Sequence, residues 1–547
     1  MPLTLDQTVL RSFREEIDRE IESHYATITD LRFKRNSLSP INRIPPELLS
    51  NIFLFFREHA AIAAAWVARV PHEWIVVTGI CRHWRDVALS TPRLWSYLNL
   101  GSPFFTKRCL LPRSGQAPLY LTARCWGKHE AELFASLFVQ FDRIWAIDIR
   151  FEPAAVNANQ HQTPVISGNA DPIPFTALPL RTLTIANHHN ARRKCPLKVF
   201  EQCNFPYLQV VQLVDCMFLP SSLFQPTLTT LVLCTSQHHK PTYVDGSVLL
   251  QSLSHMLFLR TLDIQNMELT YPSSSIIKIP LPKLHHIVLR PSLGAEVHYY
   301  RLLQTLSPHS PRPMWLHLLF NESLKMEHLP SLLASVEPYL RYLPFNALDI
   351  ETEDRGFGLT VESTEPQDEG LWSSLRLWLP KAAESSTHFW GGFLNSIPGL
   401  SNLREIGVGP LHQVTFDFHL THLLSKCIHL DKLCLRGPPV AIVLGNLTNL
   451  ITKPGDDTAT TLIMPVLREL QLSQCSWRTP EELTKLLFSG NYNDCAATEA
   501  FAKRRELGYP IYYVEIDCDC VNIFAQDMQC IRDNVTKADL YCDTDEE

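Results

Sequence analysis

The stretch LRELQLSQC (Leu467–Cys475) carries the pattern that decides the fold. Leu470 and Leu472 alternate with Glu469, Gln471 and Ser473, which is the period of a half-buried strand. Leu467 stands three residues upstream and marks the strand entrance. Cys475 follows the strand, where a small, weakly polar side chain satisfies backbone groups at a turn.

The same L-x-x-L-x-L template, with any large apolar residue allowed, recurs along the chain. It is met at Leu180-Leu183-Ile185, Leu208-Val211-Leu213, Leu228-Leu231-Leu233, Leu259-Leu262-Ile264 and Leu284-Ile287-Leu289. It continues at Phe345-Leu348-Ile350, Trp372-Leu375-Leu377, Leu403-Ile406-Val408 and Leu430-Leu433-Leu435, with weaker copies starting at Ile144, Pro313 and Ile511. From 180 to 467 the steps run from 20 to 37 residues, close to the period of leucine-rich repeats with insertions. Pro179, Pro206, Pro226, Pro282 and Pro465 precede copies, where a missing amide proton is tolerable. Cys216 fills the turn position after Leu213 as Cys475 does after Leu472. The template residues are expected to point inward, and the residues between them to line the opposite, concave face. No copy can bury its apolar row alone, so neighbours stack into a solenoid. A set of ordinary strands in an α/β domain is the other reading. Segments such as EELTKLLFSG (Glu481–Gly490) read as helix-like connections.

Composition sets outer bounds. The chain has 547 residues, 45% hydrophobic and 19% charged, with a net charge of −7. It is folded, and too long for one ordinary core. Nucleic acid is not the expected partner, because phosphate binding draws on clustered Lys and Arg. No apolar run is long enough to span a bilayer; AAIAAAWVARV (Ala60–Val70) is the nearest. No secretory signal opens the chain, so a cytoplasmic or nuclear location is expected. Fifteen cysteines, scattered mostly at strand-like positions, read as reduced thiols. The N-L-T and N-V-T sequences at Asn446 and Asn534 are then unused as glycosylation acceptors.

Three segments make up the first hundred residues. Leu10, Phe13, Ile17, Ile21, Tyr25, Ile28 and Leu31 step by three and four, as on an amphipathic helix. That helix either packs on its own chain or pairs as a coiled coil. In INRIPPELLSNIFLFF (Ile41–Phe56), Pro45 and Pro46 suit a helix start and Glu47 complements its dipole. Leu48, Leu49, Ile52, Phe53, Phe55 and Phe56 sweep about 160° of a helix of roughly three turns. Such a face is either buried entirely at home or shared with a second protein. In WIVVTGICRHWRDVALSTPRLWSYLNL (Trp74–Leu100), Val77, Ile80, Cys81, Trp84 and Val87 fall on one helical face. Ser90-Thr91-Pro92 ends that helix, and a short strand follows.

The order Ile44-Pro45-x-Glu47-Leu48-Leu49-x-x-Ile52-Phe53, then Ile80-Cys81-Arg82-x-Trp84-Arg85, then Leu94-Trp95, resembles the F-box. It is similar to the F-box proteins abundant in mushroom-forming fungi, and the match covers about residues 41–100. The resemblance implies docking on the Skp-type adaptor of a cullin-based (SCF) ubiquitin ligase. The implied adaptor-binding residues are Ile44, Pro45, Leu48, Leu49, Ile52 and Phe53, with Val77, Ile80, Cys81 and Trp84 from the second helix. Position 44 holds Ile where the family usually has Leu, and residues 57–74 separate the helices more widely than a minimal F-box does. The repeats resemble the leucine-rich-repeat region that often follows an F-box. The expected fold is therefore α/β: an N-terminal helix (1–38), a helical F-box module (39–100) and a leucine-rich-repeat-like solenoid, or horseshoe, over 101–547. The expected function is substrate recognition in the ligase, with the solenoid holding an unidentified target protein. A repeat scaffold acting outside a cullin ligase is the alternative.

Signs of catalysis are absent: no G-x-x-x-x-G-K-[ST], G-x-S-x-G or H-E-x-x-H occurs. Cys518-x-Cys520 with Cys530 and Cys542 lacks zinc spacing and reads as free thiols. The adjacent pairs His188-His189 and His238-His239 are poor chelators. No enzyme activity, cofactor or metal is expected. HHNARRK (His188–Lys194) reads as a solvated loop, ETEDRGFGLTVESTEPQDEGLW (Glu351–Trp372) as an acidic surface loop, and YCDTDEE as a frayed tail.

Overall fold

Alternation in the sequence becomes strands, and the strands pair mostly parallel. The structure is a computed structural model of the chain. It describes residues 7–66, 73–100, 105–123, 142–151, 179–187, 200, 203–216, 220–236, 242–271, 278–292, 294–306, 314–320, 326–342, 345–353, 356–363, 373–380, 390–393, 400–409, 420, 422–437, 443, 450–453, 456–489, 495–517 and 519–541. The chain is mixed α/β, with an N-terminal helical region and a large, parallel-rich sheet. It divides into two compact units, residues 1–185 and 186–547. Trp372, Pro313, Asn446, Cys518, Cys542, the His188–Lys194 stretch and the His238-His239 pair lie outside the described residues.

The first unit opens with helix α1 (Gln7–Ser37), carrying the i,i+4 pairs Arg11–Glu15 and Asp30–Lys34. Every side chain from 9 to 35 is exposed, the apolar stripe Leu10 to Leu31 included, so α1 is not packed on its own chain. Helix α2 (Pro46–Trp66) follows. It is about six turns long rather than three. The alanine-rich stretch after Phe56 has high helix propensity and continues the helix instead of linking it to the next. The second predicted helix is broken. A single turn, Val77–Ile80, stops at Cys81, which is extended (φ −156°, ψ 171°), and α3 (Arg82–Leu89) begins anew. The Cys81 thiol accepts the Trp84 N–H at 3.5 Å and so caps α3. Leu94, Trp95, Leu98 and Leu100 are then fully buried, and the Trp95 Nε1–H donates to the Ala88 carbonyl at 2.7 Å. Strands β1 (Tyr97–Asn99), β2 (Leu119–Ala123) and β3 (Ile144–Phe151) pair side by side in parallel. Strand β4 (Thr182–Asn187) spans the boundary between the units.

The second unit holds β5 (Val210–Val214), β6 (Thr230–Cys234), β7 (Thr242–Asp245), β8 (Thr261–Gln265), β9 (Met267–Thr270), β10 (His286–Arg290) and β11 (Trp315–Leu319). β12 (Ala347–Glu353), β13 (Gly356–Glu362), β14 (Ser374–Pro380), β15 (Glu405–Val408), β16 (Lys432–Arg436), β17 (Leu450–Lys453) and β18 (Asp456–Leu462) follow, then β19 (Glu469–Ser473), β20 (Tyr513–Asp517) and β21 (Lys537–Tyr541). Its main sheet runs β5-β6-β8-β10-β11-β14-β13-β12-β15-β16-β19-β20-β21. Only β13 runs against its neighbours. Each repeat copy is one strand, and every template residue among the described residues is buried. Helices α4 (Gly246–Ser254), α5 (Glu296–Thr305), α6 (Leu329–Tyr342), α7 (Pro480–Ser489), α8 (Ala496–Glu506) and α9 (Ala525–Asn534) lie between or after strands.

The sheet also departs from the sequence reading. Glu351–Trp372 is not simply a loop: its first part completes β12 and forms β13, an antiparallel partner of both β12 and β14. As a result β14 sits beside β11, and β12 beside β15, so spatial order reverses sequence order over three strands. Gly358 is required there, because a Cβ on it would stand 2.9 Å from the Trp378 ring.

The turn cysteines behave as read. The Cys216 thiol donates to the Val214 carbonyl at 3.5 Å, and the Cys475 sulfur lies 3.2 and 3.1 Å from the Leu435 and Ser473 carbonyl oxygens. The C-terminal helices are tied by Arg478 and Asp527, both about 1% exposed. The Arg478 guanidinium donates to Asp527 Oδ1 at 2.8 Å and to the Asn522 carbonyl at 3.0 Å, and Asp527 also accepts from the Phe524 N–H and the Thr498 hydroxyl. Replacing Leu433 by Ala removes a fully buried member of the inner row and is expected to cost about 2–5 kcal/mol. Glu469→Ala, on the exposed side of the neighbouring strand, stays within about 0.5 kcal/mol. Denaturant midpoints of the two variants check which face is the core.

Candidate docking face on the N-terminal helices

The wide apolar arc of α2 resolves into two strips four residues apart in step. Leu49, Phe53 and Arg57 are at most 4% exposed and face the unit's own interior. Phe53 packs against Trp84 with ring centroids 5.1 Å apart. Arg57 lies over the Tyr97 ring at 3.9 Å and donates to the Arg93 carbonyl. Its burial lowers the guanidinium pKa, with Tyr97 and Glu58 opposing that shift. The second strip is solvent-facing: Leu48 is 56% and Ile52 48% exposed, and Phe55 and Phe56 continue it. Ile41, Val76 and Ile80 are exposed apolar residues of the flanking turns.

The ten residues assigned to docking therefore separate. Pro45, Leu48, Ile52 and Ile80 are exposed, and Ile44, Cys81 and Trp84 are half-buried. Leu49, Phe53 and Val77 are buried in internal packing and are not available to a partner. Ile41, Phe55, Phe56 and Val76 are added to the accessible set. Phe55 and Phe56 were within the sequence-derived arc. For Ile41 and Val76, the only signal was an apolar residue in a 3₁₀ turn beside a helix start.

A second chemical surface lies on the sheet of the other unit, on the side away from the leucine rows. A cavity of about 390 Å³ is lined by Asp349, Glu351, Glu362, Glu405, Lys432 and Arg436, among others. Lys432 pairs with Glu405 at 3.0 Å, the Cys434 thiol donates to Gln471 Oε1 at 3.1 Å, and Gln471 donates to Glu515 at 2.8 Å. Gly407 leaves the space that Asp349 fills; a Cβ there would stand 2.2 Å from Asp349 Oδ1. Burial, with Glu351 beside it, pushes the Asp349 carboxyl up to about 6. The result is a polar, net acidic face. Among the described residues no group of three or more His, Cys, Asp or Glu is placed to hold a metal ion, and no helix is long and apolar enough to cross a membrane.

No protein-family model matches the chain, and no curated protein matches it in sequence. The functional reading therefore rests on the residues and their geometry.

The Asp349 proton is held more tightly in the folded chain than in the unfolded one. Its ionisation therefore opposes folding progressively as pH rises from about 4 through about 6. Asp349→Asn is expected to raise the denaturation midpoint at pH 7.5. The advantage should shrink as pH falls through 6 and vanish near pH 4, which a series of thermal melts reads directly.

Proposed function

We propose that the chain is a substrate-recognition subunit of an SCF-type cullin ubiquitin ligase. Its N-terminal helices act as an F-box that docks on a Skp-type adaptor, and its repeat region, read as a leucine-rich-repeat-like solenoid, holds a target protein. The observation that carries this reading is the exposed Leu48–Ile52 strip on α2, whose other strip, Leu49–Phe53, is already committed to the chain's own core. A solvent-facing row of Leu, Ile and Phe is an unsatisfied hydrophobic surface, and covering it is favourable. Fully burying one such side chain is worth roughly 1.5–3 kcal/mol, and these are already about half covered, so several must act together. The motif order from Ile44 to Trp95 gives the partner its class, through the F-box resemblance.

For the repeat region, the support is the march of strands with buried template rows and a polar face on the other side. That face is acidic around Asp349, Glu362 and Glu405, so it favours a target segment carrying Lys or Arg. In this role the chain does no bond chemistry. It raises the effective concentration of target lysines near the ubiquitin carrier.

The test is a pull-down of a Skp-type adaptor from the same organism by the full chain. Wild type should bind. Leu48→Asp with Ile52→Asp should lose binding while the circular dichroism spectrum and melting temperature stay unchanged, since both side chains are exposed. Leu49→Asp should instead unfold the N-terminal module. A folded wild type that captures no adaptor would replace this reading with that of a repeat scaffold working outside a cullin ligase.

A further inference from the structure

The sequence reads Cys520 as a free thiol and Cys475 as a turn residue. The two are brought together. Val521 N–H donates to the Cys475 carbonyl at 2.9 Å, and Trp477 N–H donates to the Val521 carbonyl at 3.0 Å. These bonds form a parallel bridge between Ser476 and Val521. One residue earlier on each segment stand Cys475 and Cys520. Neighbouring strand segments lie about 4.8 Å apart, inside the Cα separation of roughly 4.4–6.8 Å that a disulfide needs. The two thiols lie within hydrogen-bond reach of one another.

Their surroundings differ in a useful way. Cys475 is 1% exposed, whereas Cys520 is partly exposed at the edge of the turn after β20. The hydrogen bond from Cys475 holds the Cys520 thiol down to about 7, against a smaller opposing effect of burial. The same bond, with burial, holds Cys475 far up as a protonated thiol. An accessible thiolate beside a buried thiol is the arrangement in which one sulfur meets the oxidant and the other resolves it.

We propose that Cys475 and Cys520 form a reversible dithiol–disulfide site that responds to hydroperoxides. The Cys520 thiolate attacks the terminal oxygen of the peroxide. The S–O bond forms, the O–O bond breaks, and the alkoxide or hydroxide released takes up a proton. Sulfur is oxidised by two electrons and the peroxide is reduced. The Cys475 sulfur then attacks the Cys520 sulfenic sulfur, the S–S bond forms, and hydroxide leaves with the Cys475 proton as water. A small-molecule dithiol reverses the step by exchange. The bridge closes the segment from β19 to β20, which contains α7 and α8.

The experiment treats the full chain with a few equivalents of hydrogen peroxide, blocks free thiols with iodoacetamide, and maps tryptic peptides without reduction. The expected product joins the peptide holding Cys475 to the one holding Cys520, with fragmentation placing the link at Cys520 rather than at Cys518 or Cys530. Dithiothreitol should remove it. Cys520→Ser should abolish the link and Cys518→Ser should keep it. In the untreated protein, Cys520 should alkylate at pH 7 about ten-fold faster than an ordinary thiol, and Cys475→Ser should slow that reaction. Folded protein whose Cys475 and Cys520 both stay reduced, or whose Cys520 links to another cysteine, overturns the proposal. If Cys475→Ser does not fold, the peptide map of wild type and of Cys520→Ser still decides it.

Discussion

The structure depends on one constraint: a strand with one apolar side cannot cover that side by itself. Each L-x-x-L-x-L copy that is fully described buries two leucine-class side chains from the strand and one from its entrance, and all three need the rows before and after. Side-by-side parallel pairing meets that need. It also leaves the alternate side chains in a common outward layer. The acidic cavity around Asp349 is a by-product of that alternation. So is the small residue at Gly407, where the layer has to admit the half-buried Asp349 carboxyl from the next strand.

The same economy governs α2. Its Leu49–Phe53–Arg57 strip is used for stability and its Leu48–Ile52 strip is not. Adjacent strips on one helix thus differ in burial although they stand only about 100° apart. Substitutions on the two strips should act on different properties even between neighbours in sequence. Arg57 at the end of the inner strip is a costly choice for a buried position. Its charge is accommodated by the Tyr97 ring and the Arg93 carbonyl.

Much of this was legible in the sequence. Period-two alternation located the repeat strands, and the inward direction of Leu470 or Ile264 followed from it, because side-chain alternation is a local property. Pairing order is not local. Nothing in Gly356–Glu362 announces that β13 will turn back between β12 and β14, and its acidic flanks suggested a loop. The break at Cys81 was hidden because the apolar spacing from Val77 to Trp84 fits an unbroken helix equally well. The division of α2 into inner and outer strips was hidden too: Leu48 and Leu49 are the same residue, and only the neighbours of each decide which is buried. The junction of Cys475 with Cys520 needed the bridge at Ser476, which spans forty-odd residues of chain and leaves no periodic trace.

The reversal over β12–β14 has a further consequence. In a sheet that grew strictly in sequence order, each addition would need only its immediate predecessor, and stability would spread as a chain of nearest-neighbour steps. Here β11 finds its partner in β14, across β12 and β13, and β15 waits for β12. The three-strand meander is joined by its own short connection at Glu353–Gly356 and carries its own local pairing. It is therefore the element of lowest contact order in the sheet's middle. The cost of closing loops favours pairing there first, and the strands before and after join the sheet through its two edges, β14 and β12.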